Sequence, residues 1–230
     1  MIFERAVILV HSPVLAPSMW QALAPRLEET GLMVATPDLR PSLAGSAPYH
    51  SSMVEVAAAA VPTGMPVVLV GHSAAGPLLP GIAACAHPPV TSIVYLDARL
   101  PHPGRSWLDT LPPPRADALR TQVAGDRMPR WNEWFPPEAF ASLLPDERAR
   151  EDFVKDLPEV PWEVFTEVMP AAGVSRLPER PLYVQLSEAY RATADEAEEA
   201  GYQVLRAEAT HLAMMTDPSL VMDLLLTALT

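Results

Sequence analysis

A single cysteine, Cys85, stands in 230 residues, so no intrachain disulfide can form. It falls in an apolar stretch, which predicts a small core residue, and its lack of a partner suits a reducing compartment. Basic residues are also scarce. Sixteen Lys and Arg face 28 Asp and Glu, a net charge of −12, so no basic stripe exists to neutralise phosphates and a nucleic-acid partner is excluded. Long apolar runs are missing as well. Glu4 and Arg5 precede a run of only five apolar residues, Ala6 to Val10. That is too short for the apolar region of a signal peptide and far too short to span a bilayer. No other stretch reaches spanning length without charges or prolines, so the expectation is a soluble, cytoplasmic protein with no membrane partner. Repeats and low-complexity tracts are absent. No histidine or carboxylate pair has metal-ligand spacing, and neither a metal nor another cofactor is expected.

What is present is 49% apolar residues in a length that suits one well-buried α/β domain. Short apolar runs at Ala6–Val10, Leu32–Thr36, Val67–Val70, Thr91–Leu96, Leu182–Leu186 and Tyr202–Arg206 predict about six strands. Helical patterns separate them: Met19 to Thr30, stopped by Gly31, then Ser51 to Val61, Pro77 to Cys85 and Thr193 to Ala200. A final helix capped by Asp217 runs to about Ala228. This alternation predicts a mostly parallel, doubly wound sheet. Residues 100–180 differ, being rich in proline, tryptophan and charge and lacking strand signals. They predict a helical cap inserted into a core domain formed by 1–99 and 181–230, lying over the strands' C-terminal ends, where open α/β sheets keep their sites. Trp131, Trp134, Phe135, Trp162 and Phe165 in that insert call for burial.

The chain is organised around Pro66–Gly76. Val67-Val68-Leu69-Val70 ends abruptly in Gly71-His72-Ser73-Ala74-Ala75-Gly76 and a helical run. Placing a serine between a buried strand and a helix needs a very tight turn, with small residues two before and two after it. Gly71 and Ala75 fill those places around Ser73. Such a turn lifts Oγ above the sheet edge and sets it before a helix N-terminus.

A nucleophilic serine needs a base. Of the six histidines, His72 adjoins the serine and is directed elsewhere, His50 precedes a helix, and His87 and His102 sit in proline-rich loops. His211 follows the last strand by a four-residue loop, at the edge where Ser73 emerges, and can take its proton. A third group must orient the imidazole. Two carboxylates leave strand ends between Ser73 and His211 in sequence. Asp97 ends an almost wholly apolar strand, where a buried carboxylate needs a partner. Glu188 borders an acidic helix and reads as a solvated charge. Asp97 is favoured, with Glu188 as the alternative acid. The Ala74 N–H, just after the serine, is the expected oxyanion donor, and the second belongs to His11-Ser12-Pro13-Val14.

With His11 after the first strand, Trp20 on the first helix, Pro37-Asp38-Leu39, Gly71-His72-Ser73, Asp97-Ala98 and His211 in order, the chain resembles α/β-hydrolase fold proteins over nearly its whole length. Asp97-Ala98-Arg99-Leu100-Pro101-His102-Pro103-Gly104 is similar to the corresponding segment of small esterases and hydroxynitrile lyases of that fold. Two positions depart from the family pattern. The last glycine of the serine pentapeptide is Ala75, which is small enough to keep the turn. The residue whose N–H would complete the oxyanion hole is Pro13, which has none, leaving Val14 N–H or the Ser12 hydroxyl as substitutes. The resemblance implies a cofactor-free serine hydrolase acting on an ester, thioester or lactone of a small apolar metabolite, with His72, Trp131, Trp134 and Trp162 at the substrate. Pro13 motivates an alternative in which the same triad shuttles protons for a lyase or cyclase. A non-catalytic small-molecule binder is the third reading.

Overall fold

The computed structural model describes residues 5–86, 90–170 and 181–227. Within them, strands β1 (Ala6–Val10), β2 (Met33–Ala35), β3 (Val67–His72), β4 (Val90–Leu96), β5 (Arg127–Met128), β6 (Val160–Pro161), β7 (Leu182–Gln185) and β8 (Gln203–Arg206) form two sheets. The main sheet has the order β2-β1-β3-β4-β7-β8 and is parallel throughout. β1 and β3 are buried along their whole length because helices cover both faces, which is why they read as unbroken apolar runs. The six expected strands are all present, with ends shifted by a residue or two. In the expected insert, β5 and β6 pair as a short antiparallel ribbon that no sequence signal announced. With two residues each, they carry no readable period.

Register sets the site. Val10 pairs with Gly71, His72 with Leu96, and Leu96 with Val184. The residues that follow these pairs therefore emerge side by side at one edge. Because β2 and β3 lie on opposite sides of β1, the chain reverses direction between β1 and β3, the crevice where open α/β sheets bind ligands.

Proline reshapes two expected helices. Met19–Thr30 is a 3-10 turn, Pro17–Trp20, followed by a six-residue helix, Ala24–Glu29. Pro25 has no N–H to give an earlier carbonyl, so it fits only the first turn of the second piece. The stretch after Ser73 likewise starts as a 3-10 turn, Ser73–Leu78, containing Pro77, and becomes α-helical only at Leu79–Cys85. That helix buries Leu79, Ile82 and Ala83 on one face. Cys85 falls on the other face and is exposed, correcting the expectation of a core thiol.

Residues 100–170 hold short helices at Pro113–Arg120, Pro137–Leu143, Glu147–Asp156 and Glu163–Thr166. Two polar clasps join them to the core. Arg40, held by Asp38, also donates to Asp156, and the Glu167 carboxylate accepts from Tyr49 N–H at 2.8 Å. Among the described residues, no helix is long and apolar enough to cross a membrane.

Candidate active site

β3 delivers Ser73 at φ 57°, a left-handed conformation that non-glycine residues seldom adopt. The turn is held because the Ser73 carbonyl accepts from Arg99 N–H at 2.9 Å. Gly76 permits this approach, since a Cβ there would lie 2.0 Å from the Arg99 carbonyl oxygen. Gly71 and Ala75 leave room as expected: a Cβ at Gly71 would meet the Leu79 side chain at 2.8 Å. Ser73 thus sits on a strained strand-to-helix turn, 9% exposed, with the Ala74 N–H at the start of the following 3-10 turn.

β4 delivers Asp97, also at positive φ (44°), its N–H donating to Val184 O at 2.7 Å. Its carboxylate is fully buried and accepts four hydrogen bonds. Leu186 N–H and Ser187 N–H donate to Oδ1 at 2.9 and 3.0 Å, while Ser187 Oγ and His211 Nδ1 reach Oδ2, each at 2.6 Å. A carboxylate accepts only, so Nδ1 is the donor in this bond and Nε2 is the ring nitrogen left outside it. Glu188 lies elsewhere, exposed and paired with Arg191. Of the two candidate acids, the structure brings Asp97 to His211.

Three rings fix the imidazole. Tyr190 stacks parallel on it, with centroids 5.0 Å apart and planes 3° apart. Trp131 lies tilted at 6.1 Å and His72 at 4.3 Å. His72, expected at the substrate, is fully buried and donates from Nε2 to the His211 carbonyl at 2.9 Å, so it braces the histidine loop. Burial holds its pKa well below the ordinary histidine value, and the ring stays neutral. The Ser73 Oγ hydrogen bond goes to Tyr190 OH, at 3.2 Å, and not to His211.

On the other flank, Pro13 and Val14 are the middle residues of a turn closed by Leu15 N–H to Ser12 O at 2.9 Å. This leaves the Val14 N–H outside the turn's hydrogen bond. The buried Ser12 Oγ has no hydrogen-bond partner among the described residues. His11 anchors the turn by donating from Nδ1 to Ser12 O at 2.8 Å and accepting Leu39 N–H at Nε2, 3.0 Å. Burial pushes its pKa down to about 4, so it too is neutral.

A narrow space of about 10 Å³ adjoins Ala74 and Pro13, walled by Arg99, Trp107 and Val164. Beside it, sharing His50, Pro77, Leu78 and Met169, lies an apolar cavity of about 230 Å³ that reaches Val54, Gly81 and Pro103. Neither cavity is lined by Trp131, Trp134 or Trp162. Trp134 and Trp162 pack on Phe165, and Trp131 packs between Phe140 and His211. His50 and His102 face the narrow space, while His87 lies outside the described residues. Ser187 and Tyr190 were missed from sequence. Both follow β7 at the edge shared with Asp97, but single residues in a loop carry no spacing that marks them.

A model of the alpha/beta hydrolase family matches residues 7–224. Polyneuridine aldehyde esterase from Rauvolfia serpentina is 34% identical over 115 residues, covering 45% of this chain and 42% of its own length. The chain thus aligns with less than half the length of that curated relative. Among solved structures, an extracellular α/β-hydrolase from a Paenibacillus species matches with a TM-score of 0.78 at 17% identity, covering 97% of this chain and 98% of that one. Tomato methylketone synthase I, in complex with 2-tridecanone, matches with a TM-score of 0.71 at 16% identity over 98% of each chain. The sheet order, the strained serine turn and a family match over nearly its whole length place this chain in the alpha/beta hydrolase family.

Proposed function

We propose that the chain is a serine hydrolase, with Ser73 as nucleophile, His211 as general base and Asp97 as the group that orients it. Its substrate would be an ester, thioester or lactone of a small, neutral, apolar metabolite. The observation that carries this reading is the 2.6 Å hydrogen bond from His211 Nδ1 to the buried Asp97, which leaves Nε2 as a base on the edge where Ser73 emerges. Proton-transfer contacts of this kind commonly tighten only when substrate is bound. In the first step Nε2 takes the Ser73 proton, Oγ bonds to the carbonyl carbon, and the C=O electron pair moves onto oxygen. The Ala74 and Val14 N–H groups would stabilise that oxyanion. Collapse re-forms the C=O and expels the alcohol or thiol, which receives the proton from His211. Water then repeats the sequence on the acyl-Ser73 ester. The esterase among the chain's relatives supports this class of reaction.

The apolar cavity of about 230 Å³ would hold the substrate's hydrocarbon part. It is smaller than the pockets of roughly 300–1,000 Å³ that take drug-sized ligands. Glu55 on its wall and a net charge of −12 disfavour an anionic substrate. With its unpaired thiol, the protein is assigned to the cytoplasm. A p-nitrophenyl ester series tests this function. Acetate and butyrate esters should be turned over and long-chain esters poorly, with Ser73→Ala slower by at least about 10³-fold. Wild-type rates in Ser73→Ala would overturn the assignment. Pro13 favours a second reading, proton-shuttle lyase or cyclase chemistry, because one expected anion donor is missing there.

A further inference from the structure

We propose that Tyr190 is a catalytic residue whose hydroxyl donates a hydrogen bond to Ser73 Oγ, stabilising that oxygen as it attacks and again as it leaves. The proposal rests on the reading of Ser73 as nucleophile. The two oxygens are 3.2 Å apart, and either could in principle be the donor. The chemistry of Ser73 decides between them. The Ser73 proton is the one His211 Nε2 must remove, so toward Tyr190 the Oγ accepts and the phenol donates. With Tyr190 donating, the serine proton is left for His211 Nε2. Burial raises the phenol's pKa, which keeps the O–H intact at neutral and moderately alkaline pH.

The arrangement meets a need stated by the sequence. Pro13 takes one donor out of the anion-stabilising side. A donor on Oγ acts on the same reacting centre from the attacking atom. As His211 removes the serine proton, electron density builds on Oγ and its hydrogen bond from Tyr190 strengthens, with no proton passing between them. During deacylation the Oγ–C bond breaks, Oγ takes a proton from His211, and the same hydrogen bond stabilises the departing oxygen. The parallel stack on His211 holds the phenol in place, at 5.0 Å between centroids.

Two substitutions separate the hydroxyl from the ring. Tyr190→Phe keeps the stack and loses only the donor. Its fluorophosphonate labelling rate and its kcat on p-nitrophenyl acetate should both fall roughly ten- to a hundredfold, with KM within about twofold and the melting temperature unchanged. Tyr190→Ala, which also frees the imidazole, should fall further. If Tyr190→Phe matches wild type and only Tyr190→Ala is slow, the residue merely packs against His211 and the proposal is overturned. A faster Tyr190→Phe would make the hydroxyl a latch on the serine, which also overturns it. Wild-type protein that is neither labelled nor active would remove the nucleophile assignment and this proposal together. Labelled wild type with an unimpaired Tyr190→Phe removes this proposal alone.

Discussion

The two flanks of Ser73 are built to different standards. On the acid–base flank, Asp97 receives four hydrogen bonds and His211 is braced by Tyr190, Trp131 and His72. On the anion flank, Pro13 supplies no N–H, and the buried Ser12 Oγ has no partner among the described residues. On the proposed reading, the acid–base flank is held in place from Asp97 to His211, whereas the anion flank lacks the N–H that Pro13 cannot give. If the proposed function holds, a site so divided would suit substrates with good leaving groups, whose transition states place less demand on the oxyanion hole. It also explains why chemistry that mainly moves protons stays a competitor on the same residues.

The largest effect should come from damaging the complete flank. In Asp97→Asn the side-chain amide would confront Ser187 Oγ and His211 Nδ1–H, favouring the wrong imidazole tautomer. Turnover of p-nitrophenyl acetate should drop by roughly 10⁴-fold with the fold retained. A loss below tenfold would mean the flank is not the acid–base machinery.

Acid should loosen the anion flank. His11 anchors the Ser12–Leu15 turn as a neutral ring, with its pKa pushed to about 4 by burial, against roughly 6.5 in the unfolded chain. The unfolded state therefore binds more protons between those values. Stability is full above about pH 6.5 and declines as pH falls toward 4, by about 3 kcal/mol from His11 alone. His72, likewise held neutral by burial, steepens the decline. Urea midpoints measured across this range should trace it, and a flat profile would contradict the neutral-histidine account.

Repairing the anion flank should help. Pro13→Ala restores an N–H at the position where the family pattern has one, and kcat on p-nitrophenyl acetate should rise about tenfold. The cost in stability should stay below about 1 kcal/mol, from a looser unfolded chain. An unchanged kcat would show that Val14, Ala74 and Tyr190 already saturate the demand. The smallest effect belongs to Glu188→Gln. Its side chain is exposed and pairs with Arg191, so activity should stay within about twofold. A large loss would move the acid assignment from Asp97 to Glu188.

Much of this is legible in the sequence. The apolar runs of β1 and β3 marked the centre of the main sheet, because strands buried on both faces must be apolar throughout. The small residues around Ser73 announced the turn, since only they fit it. The apolar approach to Asp97 favoured it over Glu188, and the hydrogen bond to His211 is what the sequence could not show. The roles of Ser187 and Tyr190 were hidden because they depend on β4, β7 and the His211 loop meeting in space. The exposure of Cys85 depended on which way a short, proline-started helix turns. The tryptophans of the insert were read as substrate contacts from their apolarity, but apolarity does not say which cavity a ring faces. Trp107, which does face the space at Ala74, has no feature that sets it apart.

The most direct test of the account is intact-mass analysis after fluorophosphonate treatment of wild type, Ser73→Ala and His211→Ala. The account predicts one adduct on wild type, mapped to Ser73, and none on either variant. A folded wild type that takes no adduct, or an adduct that persists in Ser73→Ala, would contradict it.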